Sequence, residues 1–505
     1  MSREQEKKLY DGITYIHDDI IEAALDTQLR ANRQKWRKWA AIAACAVVVI
    51  GISGGLVLQN LLPFGGNAGS SGSGHAEGSS VFMSYAGPVF PLTISEPDDT
   101  VTASRNITYD FALANEDDLR VWGTNVIDSY TLSNTSEKDK TIIALYPFVG
   151  NFDELQEQMP DMTVDGQQVS PILYAGSYSG RFTGVYGDDK PDGSENILQL
   201  NSWEGYKSLL EDGSYQSNAF SPYPALSQQV IVYNFSDFNA PLEEYDAATQ
   251  AISFTIDPDK TTILQYGFEG GELGDDGFRR YSYFVPDGVS MRSNTKLLIV
   301  LGDDITNYTL QGYKNGATEN GNELNNVSVT VTRSQEVLSD VMGRLIDDFF
   351  ATYGDGTMQT VPDEMFLGAV SEFLYEYGLL SDTTRDRYQY GMLEDIISET
   401  KNLKRVFYLE FPVTIHAGET VSVTAAMHKK PSFDFACSGS KNVGVQGYDM
   451  VTRLGSNLHF SGLTAELVNT KLINIVRQNF AFDPSAGITK VTLDPFVEHY
   501  YLEIK

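Results

Sequence analysis

AAIAACAVVVIGISGGLVL, residues 40 to 58, runs for nineteen positions without a charge, an amide or a proline. As a helix rising ~1.5 Å per residue it is ~28 Å long, and residues 59–63 extend it toward the ~30 Å of a bilayer core. Its flanks orient it: Arg30, Arg33, Lys35, Arg37 and Lys38 crowd the N-terminal side, and no Lys or Arg recurs before Arg105. The basic end stays in the cytoplasm. Trp36, Arg37, Lys38 and Trp39 suit the membrane interface, where amphipathic rings and long cationic stems both find the headgroup layer. The reading is a transmembrane helix over residues 39–63 of a single-pass cell-membrane protein, N-terminus inside and C-terminal region outside. A cleaved signal peptide fits poorly, because 39 residues precede the run and no Ala-x-Ala follows it. Lipoprotein processing fits poorly too, since Cys45 comes near the start of the run instead of closing it. A buried soluble helix would carry a polar stripe, and this run has none.

On the inner side, residues 1–38 form an amphipathic helix and a basic spacer. Leu9, Ile13, Ile16, Ile20 and Ala24 recur at steps of four and three, which is one apolar stripe. Lys7, Lys8, Asp11, Asp18, Glu22 and Asp26 take the other face. Such a helix gains most of its stability by packing that stripe on something. A membrane surface would select a basic polar face, and this one is mixed, so Leu9, Ile13, Ile16 and Ile20 are expected to bind a protein partner.

The string LYDGITYIHDDIIEAAL, followed by KWRKWAAIAACAVVVIG, resembles the N-terminal layout of clostridial membrane-anchored proteins of the anti-sigma-factor-like type. The matching positions are Tyr10, Asp11, Ile13, Ile16, Asp18, Ile21, Glu22 and Ala24, with Asp19 and Ile20 as near equivalents. The resemblance covers about a tenth of the chain. It implies a short inner segment that binds a sigma factor or another regulator while a large outer region senses.

Outside the span, residues 64–80 are a Gly/Ser-rich linker. Its core GGNAGSSGSGHAEGSS, sixteen residues, has an r.m.s. reach of only ~20 to 24 Å, so whatever follows hovers close above the membrane. From residue 40 onward the chain holds 28 basic against 61 acidic residues. Such a surface repels nucleic acid and anionic lipid, so nucleic acid is excluded as a partner. The two cysteines, Cys45 and Cys437, are too far apart in the layout to pair, and an outer body without disulfides suits the wall side of a Gram-positive bacterium.

The outer chain reads as mainly β with an α-helical insert, in β-sandwich-like ectodomains. Residues 81–333 alternate in short strands between turn residues: Asn134 and Asp139 frame one turn, Asp165-Gly166 signals a type I′ hairpin, and LLIVLG from Leu297 is a strand buried on both faces. Asn151 with Glu154, and Asn201 with Glu204, open two short helices. Residues 334–404 change to helical period, with a stripe from Val337 to Phe350, a helix start at Pro362 and a third helix near 384–400. Residues 405–505 return to strands around an Ala417-Gly418 turn, with one more helix expected from Asn469 to Ala481.

No catalytic or metal-binding constellation emerges, and neither an enzyme nor a cofactor is expected. His416, His428, His459 and His499 lack metal-ligand spacing and read as sheet or surface histidines. Gly176-Ser-Tyr-Ser-Gly180 places Tyr178 where a nucleophile elbow needs serine. Cys437 reads as a small buried hydrophobe. The loop from Asp188 departs from an EF-hand at Lys190 and Gln199, leaving only a looser calcium site open. The 28 Tyr and 26 Phe read as cross-strand pairs, with stacking on a wall sugar as the functional alternative. The expected function is sensory or regulatory, with an unknown envelope ligand outside. The alternative is a cell-surface structural or glycan-binding protein with no signalling role.

Overall fold

VTASRNITYD, Val101–Asp110, and TNVIDSYTLSN, Thr124–Asn134, pair antiparallel, and each turns every second residue inward. Period-two alternation is what one buried face of a sheet requires, and these two strands form the centre of the longest sheet in the molecule. The computed structural model describes residues 84–505 apart from 113–122, 179, 183–196, 200–202, 240–247, 286–291, 315–317, 319, 355–360, 383–386, 435–441 and 443. The inner helix, the apolar run, the linker, the site residues assigned to them, both cysteines and the loop from Asp188 lie outside the described residues. Among the described residues no helix is long and apolar enough to cross a membrane.

The fold is mainly β. In the first lobe a seven-stranded sheet runs in the order 490–492, 459–468, 101–110, 124–134, 420–429, 161–164 and 167–168, with only the 459–468/101–110 pairing parallel. Two smaller sheets lie side by side on its inner face. Val101, Ala103, Tyr130 and Leu132 pack with Ala144, Tyr146, Leu409 and Phe411 of a four-stranded sheet. Ile107, Tyr109, Phe111 and Val126 pack with Tyr448, Met450, Tyr500 and Leu502 of a five-stranded one, which also holds the first described strand, Ser84–Tyr85.

The turns expected at Asn134/Asp139 and Ala417-Gly418 are both present, and each carries the chain from one layer to the other. Thr124–Asn134 and Thr420–Lys429 belong to the seven-stranded sheet, while Lys140–Gly150 and Arg405–Ile415 belong to the four-stranded one. The two corners are stitched: Asn134 Nδ2 donates to the Ile415 carbonyl at 3.0 Å, and Asp139 meets His416 Nδ1 at 2.9 Å and the Ala417 N–H at 3.0 Å.

The second lobe, residues 229–337, is a sandwich of a four-stranded and a five-stranded sheet. Residues Lys296 to Val300 are all buried, as a strand covered on both faces must be. Leu298 and Val300 enter an aromatic core with Phe235, Phe268, Tyr281 and Tyr283. Leu297 and Ile299 face the other way, into a cluster shared with helices α4 (Leu338–Tyr353), α5 (Asp363–Glu376) and α6 (Leu393–Asn402). That cluster also takes in Phe407 and Leu409, so the helical insert is a wedge joining the two lobes.

Shorter helices precede it: α1 (Leu155–Gln158), α2 (Trp203–Asp212) and α3 (Ser214–Ala219). Asn151 accepts from the Glu154 N–H at 2.8 Å in the turn before α1, but the expected cap is displaced: α1 begins at Leu155 with Glu154 at its N-cap, because the Glu154 carboxylate is taken by Gln158 Nε2 at 2.7 Å. Three further boundaries depart from the expected ones. The strand Ser328–Val337 continues through Ser334–Val337, because these residues pair with Gln229–Val232, and the helix begins only at Leu338. The third helix begins at Leu393, after a left-handed Gly391. Asn469 to Ala481 is not a helix: a single 3₁₀ turn, Thr470–Leu472, follows the left-handed Asn469, and Ile475–Gln478 is an edge strand on His499–Ile504. Pairing along an open sheet edge satisfies more backbone groups there than an isolated helical turn would.

Candidate functional site: a lysine-lined cleft

Strand alternation puts a charge where an apolar residue belongs. Between Ala103 and Ile107 the inward position is Arg105, and between Val126 and Tyr130 it is Asp128; both are fully buried. They sit where the two smaller sheets meet over the long one. Arg105 Nε and Nη2 each donate to Asp128 at 2.8 Å, and its remaining N–H groups reach the Val451 carbonyl at 2.5 Å and the Phe90 carbonyl at 3.2 Å. Tyr130 and Tyr146 hydroxyls donate to Asp128 Oδ2 at 2.6 and 3.1 Å. Burial, the nearby carboxylate and the hydrogen bonds push both phenols well above their ordinary range. The network fills a seam that side chains from two separate sheets leave between them.

Beside this network opens a cleft of about 60 Å³. Five segments wall it: Ala86 to Phe90, just beyond the linker; Tyr146 to Val149; Glu157 and Gln158 of α1; Lys404, just past α6; and Met427 to Lys430 at the end of a strand of the long sheet. Lys429 is fixed from two sides. Its Nζ donates to the Gly87 carbonyl at 2.6 Å, and its own carbonyl lies where a Cβ on Gly123 would come within 2.2 Å. Gly87 and Gly123 both have positive φ, +84° and +64°, which glycine adopts without strain.

Burial pushes the Lys429 ammonium down to about 8, with Asp449 opposing the shift and Lys404 adding to it. Burial also lowers Lys404, opposed by Glu154 and assisted by Lys430. Lys430 Nζ pairs with Glu154 Oε1 at 2.5 Å. Three ammoniums therefore act on one another around one small space.

Behind the cleft, Asp449 is buried in the five-stranded sheet. It receives the Tyr85 hydroxyl and meets His499 Nε2 at 2.8 Å. Burial alone would raise its carboxyl, but the bonds from His499, Ser432 and Tyr85 hold it below the ordinary value. The His499 ring stacks on Trp203 of α2 at 4.6 Å and 5°. His428 Nδ1 lies 3.3 Å from Asn125 Oδ1. These histidines are thus held by hydrogen bonds within sheets.

A second, shallower hollow of about 340 Å³ is lined by Tyr174, Phe220, Tyr223 and Met365 among others. Phe220 is 40% exposed, and its ring lies 4.7 Å from that of Tyr174. Compared with protein families, curated proteins and solved structures, the chain matches none.

Neither the cleft nor the Arg105–Asp128 pair was singled out from the sequence. The signals existed: MHKK and KNLKR are dense basic strings in an acid-rich chain, and Arg105 and Asp128 break two apolar stripes. Arg105 and Asp128 meet across neighbouring strands of one sheet, and the lysines meet where the end of the strand 420–429 packs by the segment past α6; strand patterning specifies neither pairing.

Proposed function

We propose that this is a single-pass membrane protein whose β-rich outer body receives an envelope ligand and whose inner helix passes the signal to a cytoplasmic regulator. The observation that carries the reading is the layout. The apolar run with its basic flank is followed by a short linker ending at Ser80, and the first described strand, Ser84–Tyr85, already belongs to the sheet that backs the lysine cleft. A body so closely tethered keeps that cleft near the membrane. Its regulator is a sigma factor or a protein acting like one, held by Leu9, Ile13, Ile16 and Ile20. The test is co-purification from detergent-solubilised membranes with the full chain as bait. Ile13→Asp and Ile16→Asp are expected to lose a cytoplasmic protein that the wild type retains; retention of the same proteins by both would overturn the reading.

The aromatic hollow favours a second reading, a surface module that stacks on wall sugars through Phe220 and Tyr174 and does not signal. Under it, deleting residues 3–29 leaves localisation and phenotype intact.

A further inference from the structure

We propose that the cleft between Ala86–Phe90, α1 and Lys404 is a binding site for a phosphate group, held by Lys404, Lys429 and Lys430. Its size suits a small anionic group, since a drug-sized ligand needs ~300 to 1,000 Å³. The outer chain is strongly acidic, so a generic surface of this protein repels anions. Three lysines nevertheless converge here, Lys429 and Lys430 from the end of one strand of the long sheet and Lys404 from the segment just past α6.

Burying ammoniums in a poorly solvated space costs free energy, and the lowered proton affinities of Lys404 and Lys429 are the mark of that cost, to which the neighbouring lysine adds and which Glu154 and Asp449 only partly offset. A ligand carrying more than one negative charge relieves it, and lysine is a point-charge partner for phosphate. The other charged or titratable groups around the cleft are His428, Glu154, Glu157, Tyr146, whose hydroxyl is given to Asp128, and, behind it, Asp449. Glu154 is engaged by Lys430, and Asp449 is committed to Tyr85 and His499. The phosphate comes either from a lipid headgroup or from a soluble or polymeric phosphate of the envelope. The first source rests on the tethered reading; the cleft itself does not.

The experiment measures inorganic phosphate binding by calorimetry to the full chain in detergent micelles, against chloride at matched ionic strength. Saturable binding at pH 7 is expected, weakened about tenfold by Lys404→Gln and by Lys430→Gln. It weakens again at pH 9, where Lys429 has lost its proton. Lys430 is exposed, so its variant keeps the fold even if Lys404→Gln does not, and melting curves check both. Absence of saturable binding, or equal binding by a folded Lys430→Gln, overturns the proposal. Bilayer discs then separate the sources. A headgroup ligand makes added phosphate binding disappear in phosphatidylglycerol discs and persist in glycolipid discs lacking phosphate, whereas an envelope phosphate binds in both. If the chain does not insert into discs, the tethered reading fails while the micelle result stands.

Discussion

The two lobes solve the same packing problem differently. In the second lobe two sheets face each other squarely, and the space between them closes on rings: Phe268 meets Phe235, Tyr283 and Tyr281 at 5.5, 5.4 and 5.9 Å. In the first lobe one long sheet faces two short ones, and their seam falls over Arg105 and Asp128. A seam exposes backbone carbonyls, here that of Val451 at the end of a strand and that of Phe90 on the segment passing from one small sheet to the other, and apolar side chains cannot satisfy them. A guanidinium with five donors can, provided a carboxylate neutralises it. The polar centre of the first lobe is thus a consequence of its three-sheet plan.

The largest expected effect tests that contrast. Asp128→Ala leaves the buried Arg105 unpaired and costs ~3–5 kcal/mol of stability in urea titrations, and the double variant Arg105→Met, Asp128→Leu recovers little of it, because the Val451 and Phe90 carbonyls and the Tyr130 and Tyr146 hydroxyls lose their partners. If the double variant instead recovers most of the loss, the seam carbonyls do not depend on Arg105 and the contrast between the lobes fails. In the second lobe, Leu298→Ala opens a cavity in the ring-lined core, two positions along the strand from the buried Lys296 whose Nζ lies 5.6 Å from the Tyr283 ring centre, and costs about 3 kcal/mol.

How much of this was legible follows from the same contrast. The strands, the Asn134/Asp139 corner, the Asp165-Gly166 turn and the doubly buried LLIVLG strand are local features, and periodicity with turn chemistry specifies local features. The partition into sheets is not local. Ile415 and Thr420 are five positions apart and lie in different layers, while Val101–Asp110 finds a parallel partner more than 350 residues away. The cleft inherits that illegibility, since its lysines meet only once the end of the strand 420–429 has been placed beside the segment past α6. The Asn469 to Ala481 error has the same origin: the residues suit a helix in isolation, and an edge strand awaited them.

The wedge between the lobes supplies a pH test. Burial pushes Glu372 on α5 and Glu394 on α6 up to about 7, with Arg405 opposing the first and Arg292 the second. Both folded values lie above the ordinary carboxyl value of ~4.3, so the fold favours the protonated forms. Their contribution is complete below that ordinary value, is lost as pH rises to about 7, and stays lost above it. Melting temperature should therefore fall between pH 5 and pH 8. Glu394→Gln, which still accepts the Gly267 N–H now bonded to Glu394 Oε1 at 2.7 Å, should gain about 2 kcal/mol at pH 8 and flatten that slope. A slope unchanged in Glu394→Gln would place the sensitivity in another carboxyl, first Glu399 of the same helix, which burial also pushes up to about 7.

The smallest effect lies at the far edge of the first lobe, where the long sheet ends in the hairpin Asp161–Val164/Gln167–Gln168. Asp165 and Gly166 have φ of 48° and 74°, the pair of left-handed residues that a type I′ turn needs to match the twist of its strands. An added Cβ on Gly166 meets nothing within 4 Å, so Gly166→Ala incurs only the backbone cost, about 1 kcal/mol. Gly447 is the contrasting case, because a Cβ there would come within 2.0 Å of the Phe433 ring inside the sheet that backs the cleft. If Gly166→Ala proves as damaging as Gly447→Ala, the edge hairpin is coupled to the body more tightly than its position implies. If it costs its backbone term alone, the long sheet draws its stability from the seam inward, and its edge is free to vary.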